Sequence, residues 1–159
     1  MTWFVRNLRE MAWWDRGPRG FVADLVGDDE AQVGVNFFVL GPGQPMSMYH
    51  WDANQEGFLV LSGEALLLVE GEEHSLRRWD YFHCPRNVSH TIVGAGSGPA
   101  AILALGARAI DENSLGYPYS EVAMKHDAST EEDTTDPSVS VARFPQRQPG
   151  EFSEAWLPR

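Results

Sequence analysis

The chain is poor in cysteine, in positive charge and in long apolar runs, and each shortage removes a class of protein. Cys84 is the single cysteine in 159 residues, so no disulfide forms within the chain. That usage fits a reducing, cytoplasmic setting. No Cys-x-x-Cys pair, phosphate-cradling glycine loop or nucleophile elbow occurs in the sequence. Lysine and arginine together number 12 against 23 acids, a net charge of −11. So acidic a chain repels phosphate backbones and anionic lipid, and neither nucleic acid nor a membrane is expected as a partner. No apolar run approaches the roughly 18 residues that cross a bilayer. The opening MTWFVRNLREMAWWDRG is interrupted by Arg6, Arg9 and Glu10 and does not read as a signal peptide.

What is present is a rhythm of short apolar segments and glycine turns. The length favours one domain over 1–159. Three parts divide it: an N-terminal arm over 1–31, a β-barrel over 32–107 and a C-terminal extension over 108–159. Gln32–Leu40, Phe58–Leu61, Ala65–Val69, Tyr81–Cys84, Thr91–Val93 and Ala100–Leu105 read as strands, and Ser62-Gly63 as the tight turn of a hairpin. No alternation of strand with helix is seen, so the fold class is all-β, a sandwich or barrel. FLVL (58–61) and LLLV (66–69) are apolar on both faces, and a barrel strand buries only one. The arms or a second subunit must cover the other, so a homodimer is expected. The Trp-rich start reads as an arm or short helix. In the C-terminal extension, 117–124 reads as one or two helical turns, 127–137 as a solvated acidic loop, and SVSV (138–141) as a short strand before an extended arm.

Within the barrel, YHWDANQEGFLVLSG places His50, Asp52 and Glu56 at even spacing, and PRNVSH adds His90. Side chains two apart share a strand face, so 50, 52 and 56 are able to point inward together. Polar groups on an inward face are costly unless partnered, and a metal ion partners them. Two imidazoles and two carboxylates suit a divalent transition metal, with Mn, Fe, Ni and Zn all compatible.

These residues resemble the two short motifs of the cupin family, carried on a double-stranded β-helix or jelly-roll barrel. In the first motif His50, Glu56 and Gly63 keep the family spacing, Asp52 stands where a second histidine is usual, and Gly43 lies one residue too far from His50. In the second, Pro85 and His90 match. Trp79 and Asn87 replace the first and middle glycines, and Gly94 replaces the final asparagine. Asparagine tolerates the left-handed turn a glycine would adopt at position 87. The resemblance implies a cupin-type all-β jelly roll with terminal arms, and a metal held inside the barrel by His50, Glu56, His90 and Asp52. Asp52 is either a ligand, a neighbour holding an imidazole tautomer, or a catalytic base.

Several other residues invite attention. His83 lies beside Cys84, but strand parity points them oppositely, and a buried cysteine is usually a small apolar residue. His74 falls in an exposed turn, and His126 carries no motif. Tyr49, Trp51, Phe58, Trp79 and Phe82 read as aromatic core around the site. Three functions compete: a metal-dependent enzyme of oxygenase or isomerase type acting on a small organic molecule, a non-catalytic module binding a small ligand with or without metal, and a degenerate barrel serving assembly.

Overall fold

Two antiparallel sheets face each other across an apolar core in the computed structural model, which describes residues 3–27, 31–108 and 115–157. Positions 1–2, 28–30, 109–114 and 158–159 of the expected arm and extension lie outside the described residues. The larger sheet is built around β3 (Val33–Leu40), β5 (Glu56–Ser62), β8 (Tyr81–Cys84) and β10 (Ala100–Ala107), in the order β3-β10-β5-β8. The smaller sheet is β7-β6-β9, formed by β6 (Glu64–Val69), β7 (Glu72–Arg77) and β9 (His90–Ala95). Leu40, Phe58, Val60 and Ile102 from the larger sheet meet Ala65, Leu67 and Ile92 from the smaller, all buried. Each of these side chains larger than alanine contributes about 1.5–3 kcal/mol relative to exposure. The all-β expectation holds.

The expected hairpin is absent. β5 bonds to β10 and β8, while β6 bonds to β7 and β9, so the chain leaves one sheet and enters the other at Ser62-Gly63. Gly63 makes this crossing possible: its φ is +74°, and a Cβ there would lie 2.3 Å from the Pro99 carbonyl oxygen. Local turn chemistry looks the same for a hairpin and for a sheet change; the partners decide, and all but β7 lie more than twenty residues away. β7 is also missing from the sequence reading, because EEHSLR is too polar to look like a strand. It is an exposed edge, where polar residues are tolerated.

The N-terminal arm is sheet rather than helix. β1 (Trp13–Asp15) and β2 (Phe21–Asp24) extend the larger sheet beyond β3, and β12 (Gln148–Gly150) from the C-terminal extension closes its edge. Trp13 is buried against Phe37, Phe152 and Trp156. Leu61, on the outer face of β5, packs into the same cluster. On the smaller sheet, Leu66 packs with Tyr49, Leu68, Val122, Ala123 and Ala128. The cover sought from arms or a second subunit therefore comes, at both places, from this chain.

The C-terminal extension departs from its sequence reading in two further ways. The start of the acidic loop is buried: Ala128, Ser129 and Thr130 are all covered, and Ala128 packs onto the smaller sheet and accepts the Tyr49 N–H at 2.6 Å. SVSV does not form a strand. Pro137–Ser140 is a helical turn, α2, because Asp136 caps the Ser138 N–H at 2.8 Å and Pro137 suits the first helical position. The helical expectation for 117–124 is met only at α1 (Glu121–Met124), since β11 (Leu115–Gly116) pairs with β4 (Trp51–Asp52) just before it. Among the described residues no helix is long and apolar enough to cross a membrane.

Candidate metal centre

His50 and His90 are brought together by backbone pairing. Each donates its N–H to the other's carbonyl, at 3.1 and 2.8 Å, so the two residues sit opposite one another and their rings are 4.9 Å apart. Both side chains are then held from behind. His50 Nδ1 lies 2.8 Å from the Met48 carbonyl oxygen and His90 Nδ1 3.0 Å from that of Val88. A carbonyl only accepts, so each Nδ1 carries the proton and each Nε2 presents a lone pair. Those lone pairs converge on Glu56, the first residue of β5. Its Oε2 is 3.3 Å from His90 Nε2 and 3.9 Å from His50 Nε2.

The three donors lie within 4.8 Å of one another, the arrangement that suits one bound ion. Two of the atoms are orphans. Glu56 Oε2 and His90 Nε2 are buried and have no hydrogen-bond partner among the described residues. A buried polar atom without a partner costs about 1–3 kcal/mol, so a native site leaves such atoms bare only for a reason. A divalent ion bonded to Glu56 Oε2 and both Nε2 atoms satisfies them, and the residues present fit that group.

Electrostatics point the same way. Burial, with the Asp52 charge adding to it, raises the Glu56 carboxyl to about 7. Burial, with the neighbouring His50, lowers His90 to about 4, and burial lowers His50 as well. Both imidazoles are thus neutral and ready to donate near pH 7. Phe58 and Phe82 press on the His90 ring at 5.3 and 5.7 Å and supply the low-polarity surroundings.

Asp52 shares the cavity wall with His50 and Glu56 but is not in the three-residue group. Its Oδ1 turns back to accept the Asn54 N–H at 2.6 Å, and the bends after Asp52 let the chain swing Glu56 into the site. Trp51 faces elsewhere, against Gly116. Tyr49 is buried on the far side of the smaller sheet, and Trp79 is 61% exposed; of the five flanking aromatics only Phe58 and Phe82 touch a site histidine's ring. His83 is exposed and Cys84 buried, as parity requires. His74 is exposed on β7, and His126 pairs with Glu73 at 2.8 Å.

The motif departures also find physical places. Asn87 has φ +62°, the left-handed turn expected of it, and Trp79, at the other glycine position, has φ +77°. Gly94 stands where no Cβ fits: one built there would lie 2.1 Å from the Gly41 carbonyl oxygen.

Two participants escaped the sequence reading. Tyr117 packs its ring 5.9 Å from His50, and Arg108 lines the cavity beside Asp52 and Glu56. Arg108 carried a faint signal, as the lone cation closing the apolar run of β10. Tyr117 carried none. The cavity itself holds about 310 Å³, roughly ten waters by volume.

The family model for the cupin domain matches residues 36–106. Among solved structures, a sugar phosphate isomerase from a cupin superfamily, from Silicibacter pomeroyi, is 26% identical with a TM-score of 0.51, over 60% of this chain and 69% of that one. Residues 36–106 are a cupin domain. A Cupin 2 conserved barrel domain protein from Salinispora arenicola matches this cupin at 18% identity and a TM-score of 0.56, over 69% and 92% of the two chains. A DMSP lyase structure matches at 21% and 0.50, over 60% of this chain and half of that one. These last two share the fold. None of the curated proteins matches this cupin.

Proposed function

We propose that this cupin holds a divalent transition metal on His50, Glu56 and His90 and converts a small organic molecule, in a reaction of isomerase type. The observation that carries the reading is the pair of buried, unpartnered atoms Glu56 Oε2 and His90 Nε2, 3.3 Å apart beneath His50. The size of the cavity limits the substrate to a small molecule. The likeness to a sugar phosphate isomerase, at 26% identity, supports the reaction class.

A metal bound there supplies Lewis acidity to a substrate oxygen. The chain does the rest. Met48 and Val88 hold the two imidazoles in the donating tautomer, and Phe58 and Phe82 keep water from the His90 side. Glu56 gives up its proton when it ligates. Asp52, on the same wall and outside the three-residue group, is the proton acceptor for the substrate. The donor set of two histidines and one carboxylate is also that of non-haem iron oxygenases, which favours oxygenase chemistry as the second reading.

The test is a melting series with Mn, Fe, Ni and Zn on the wild type and on His50→Ala with His90→Ala. A metal at a hundred times its dissociation constant should stabilise the wild type by about 2.7 kcal/mol and leave the double variant unmoved. If no metal separates the two proteins, the metal reading falls and a ligand-binding module without metal takes its place. Substrate-dependent dioxygen uptake by the iron form alone selects the oxygenase.

A further inference from the structure

Among the described residues Arg16 is the only lysine or arginine that is buried, at 8% exposed. It sits on the turn between β1 and β2. Its guanidinium lies 5.0 Å from the centre of the Phe38 ring, and its Nη1 donates to the Met46 carbonyl oxygen at 2.8 Å. Phe38 and Met46 both line the metal cavity, so Arg16 adjoins that cavity from the arm. Arg16 Nη2 donates to the Arg19 carbonyl oxygen, and its Nε is buried without a partner. Arg19, half-buried, is poorer still in partners. Its guanidinium stacks on Phe144 of the C-terminal extension at 5.1 Å, makes no hydrogen bond to a described residue, and has its Nε buried and unpartnered. No carboxylate among the described residues forms an ion pair with either arginine. The two charges bear on each other: burial, and then the charge of Arg19, lowers the Arg16 guanidinium to about 9. A guanidinium stays charged near neutral pH, and a buried charge left without an opposite one is strongly unfavourable.

We propose that Arg16 and Arg19 bind a phosphate group at the seam where the N-terminal arm meets the C-terminal extension. The inference goes beyond the metal reading and does not rest on it. Donor geometry supports it. Arg19 has a whole guanidinium edge without a protein acceptor, Nε with an Nη, and such an edge grips two oxygens of one oxyanion side by side. Arg16 Nε adds a further donor. Charge supports it as well. Two guanidiniums carry two positive charges, which a phosphate dianion neutralises and a single carboxylate does not. Access is through Arg19, which is half-exposed, while Arg16 forms the closed back of the site. One side chain, Tyr117, links the pair to the metal centre. Burial raises its phenol, Ser140 and the Arg19 charge oppose the rise, and its ring is 5.9 Å from that of His50. Free phosphate and a phosphate monoester present the same group to the two arginines.

The test is calorimetry on the full metal-free chain at pH 8, where phosphate is a dianion. Wild type, Arg19→Gln and Arg78→Gln are titrated with inorganic phosphate, glycerol phosphate and acetate; Arg78 is an exposed arginine between β7 and β8 and controls for net charge. Wild type should bind one of the phosphates with a dissociation constant below about 1 mM, and at least about tenfold tighter than acetate. Arg19→Gln should weaken that binding at least about tenfold, and Arg78→Gln less than about twofold. Melting temperatures keep the result clear of a folding defect: phosphate should raise that of wild type and not that of Arg19→Gln. Tighter binding of the ester, lost in Arg19→Gln, supports the site with a phosphomonoester as its ligand; tighter binding of the free ion, lost in the same variant, supports it with inorganic phosphate. The proposal is overturned if wild type binds neither phosphate, if acetate binds as tightly, or if Arg78→Gln weakens phosphate as much as Arg19→Gln. Arginines that only fasten the arm would give Arg19→Gln a melting temperature lowered by the same amount with and without phosphate, which overturns it too.

Discussion

Cys84 Sγ lies 3.2 Å from Nδ1 of His90, behind the ring and away from the nitrogen that meets Glu56. Burial, together with the charges of Glu56, Asp52 and Glu70, pushes the Cys84 thiol up to about 12. A thiol held this high stays protonated near neutral pH and is a poor nucleophile. Iodoacetamide at pH 8 should leave it unmodified in the native protein and alkylate it after unfolding. Cys84→Ala should cost about 1 kcal/mol of stability and leave metal affinity within about threefold of wild type. Rapid alkylation of the native protein would falsify this placement.

Trp79 occupies a left-handed backbone conformation, φ +77°, with its side chain 61% exposed. A non-glycine residue there costs about 1–2 kcal/mol, and the cation–π contact with Arg78 at 4.6 Å returns only about 0.5–1. Trp79→Gly relieves the strain but loosens the unfolded chain, which takes back part of the gain. The net expectation is a melting temperature raised by about 2–4 °C. A lower melting temperature would mean that the exposed indole holds something the backbone angle does not reveal.

The metal-free protein should have opposed pH slopes. Glu56 is raised to about 7, above its unfolded value, so its contribution is fully present below pH 4.5 and is lost as pH rises through 7. His90 is lowered to about 4, so its contribution is present above pH 6.5 and is lost as pH falls toward 4. Between 4.5 and 6.5 the two oppose one another. Glu56→Gln removes the alkaline loss. In chelator, this variant should match the wild type near pH 4.5 and exceed it at pH 8 by at most about 3 kcal/mol. Equal urea midpoints at pH 8 would show that the Glu56 carboxylate is not destabilised by burial.

The same group should control the pH dependence of metal binding. The expectation from free histidine is that affinity falls below pH 6.5. With His90 neutral down to about 4, the competing proton is the one on Glu56. Apparent affinity should therefore fall about tenfold per unit once pH drops below 7. Competition titrations from pH 5 to 8 read this directly, and an unchanged affinity down to pH 6 would return control to the histidines.

Trp156 joins both ends of the chain to the sheet. It lies 5.0 Å from Trp13 and 4.7 Å from Phe21, ring to ring, and its carbonyl accepts the Ser62 hydroxyl at 3.0 Å. Trp156→Ala should cost about 3 kcal/mol and expose Trp13 to fluorescence quenchers. An unchanged urea midpoint would show that the C-terminal segment lies on the sheet without stabilising it.

The strands of the barrel were legible because they are apolar, short and bounded by glycine. The three-residue group is legible because His50, Glu56 and His90 keep a spacing that has chemical meaning. Partner choice was not legible. Ser62-Gly63 has the composition of a hairpin turn, and nothing local says that β6 will bond to β9. The polar strand β7 and the buried stretch at Ala128–Thr130 were missed for one reason: sequence polarity reports average exposure, and an edge strand or a packed loop departs from the average. Parity puts Asp52 on one face with Glu56, but the chain bends between them, and parity holds only along a regular strand.

The change of sheets at Gly63 also sets when this barrel is able to fold. β3 and β5 both bond to β10, and β6 bonds to β9, so each of these strands from the first half of the chain completes its pairing only with residues 90–107. Loop closure must precede most of the burial that rewards it, which makes folding slow for a chain of this size. A ribosome that has released only the first eighty residues holds strands with open edges. The two central histidines acquire their shared backbone bonds when β9 docks, so the group of His50, Glu56 and His90 is assembled only once more than half of the chain has been made.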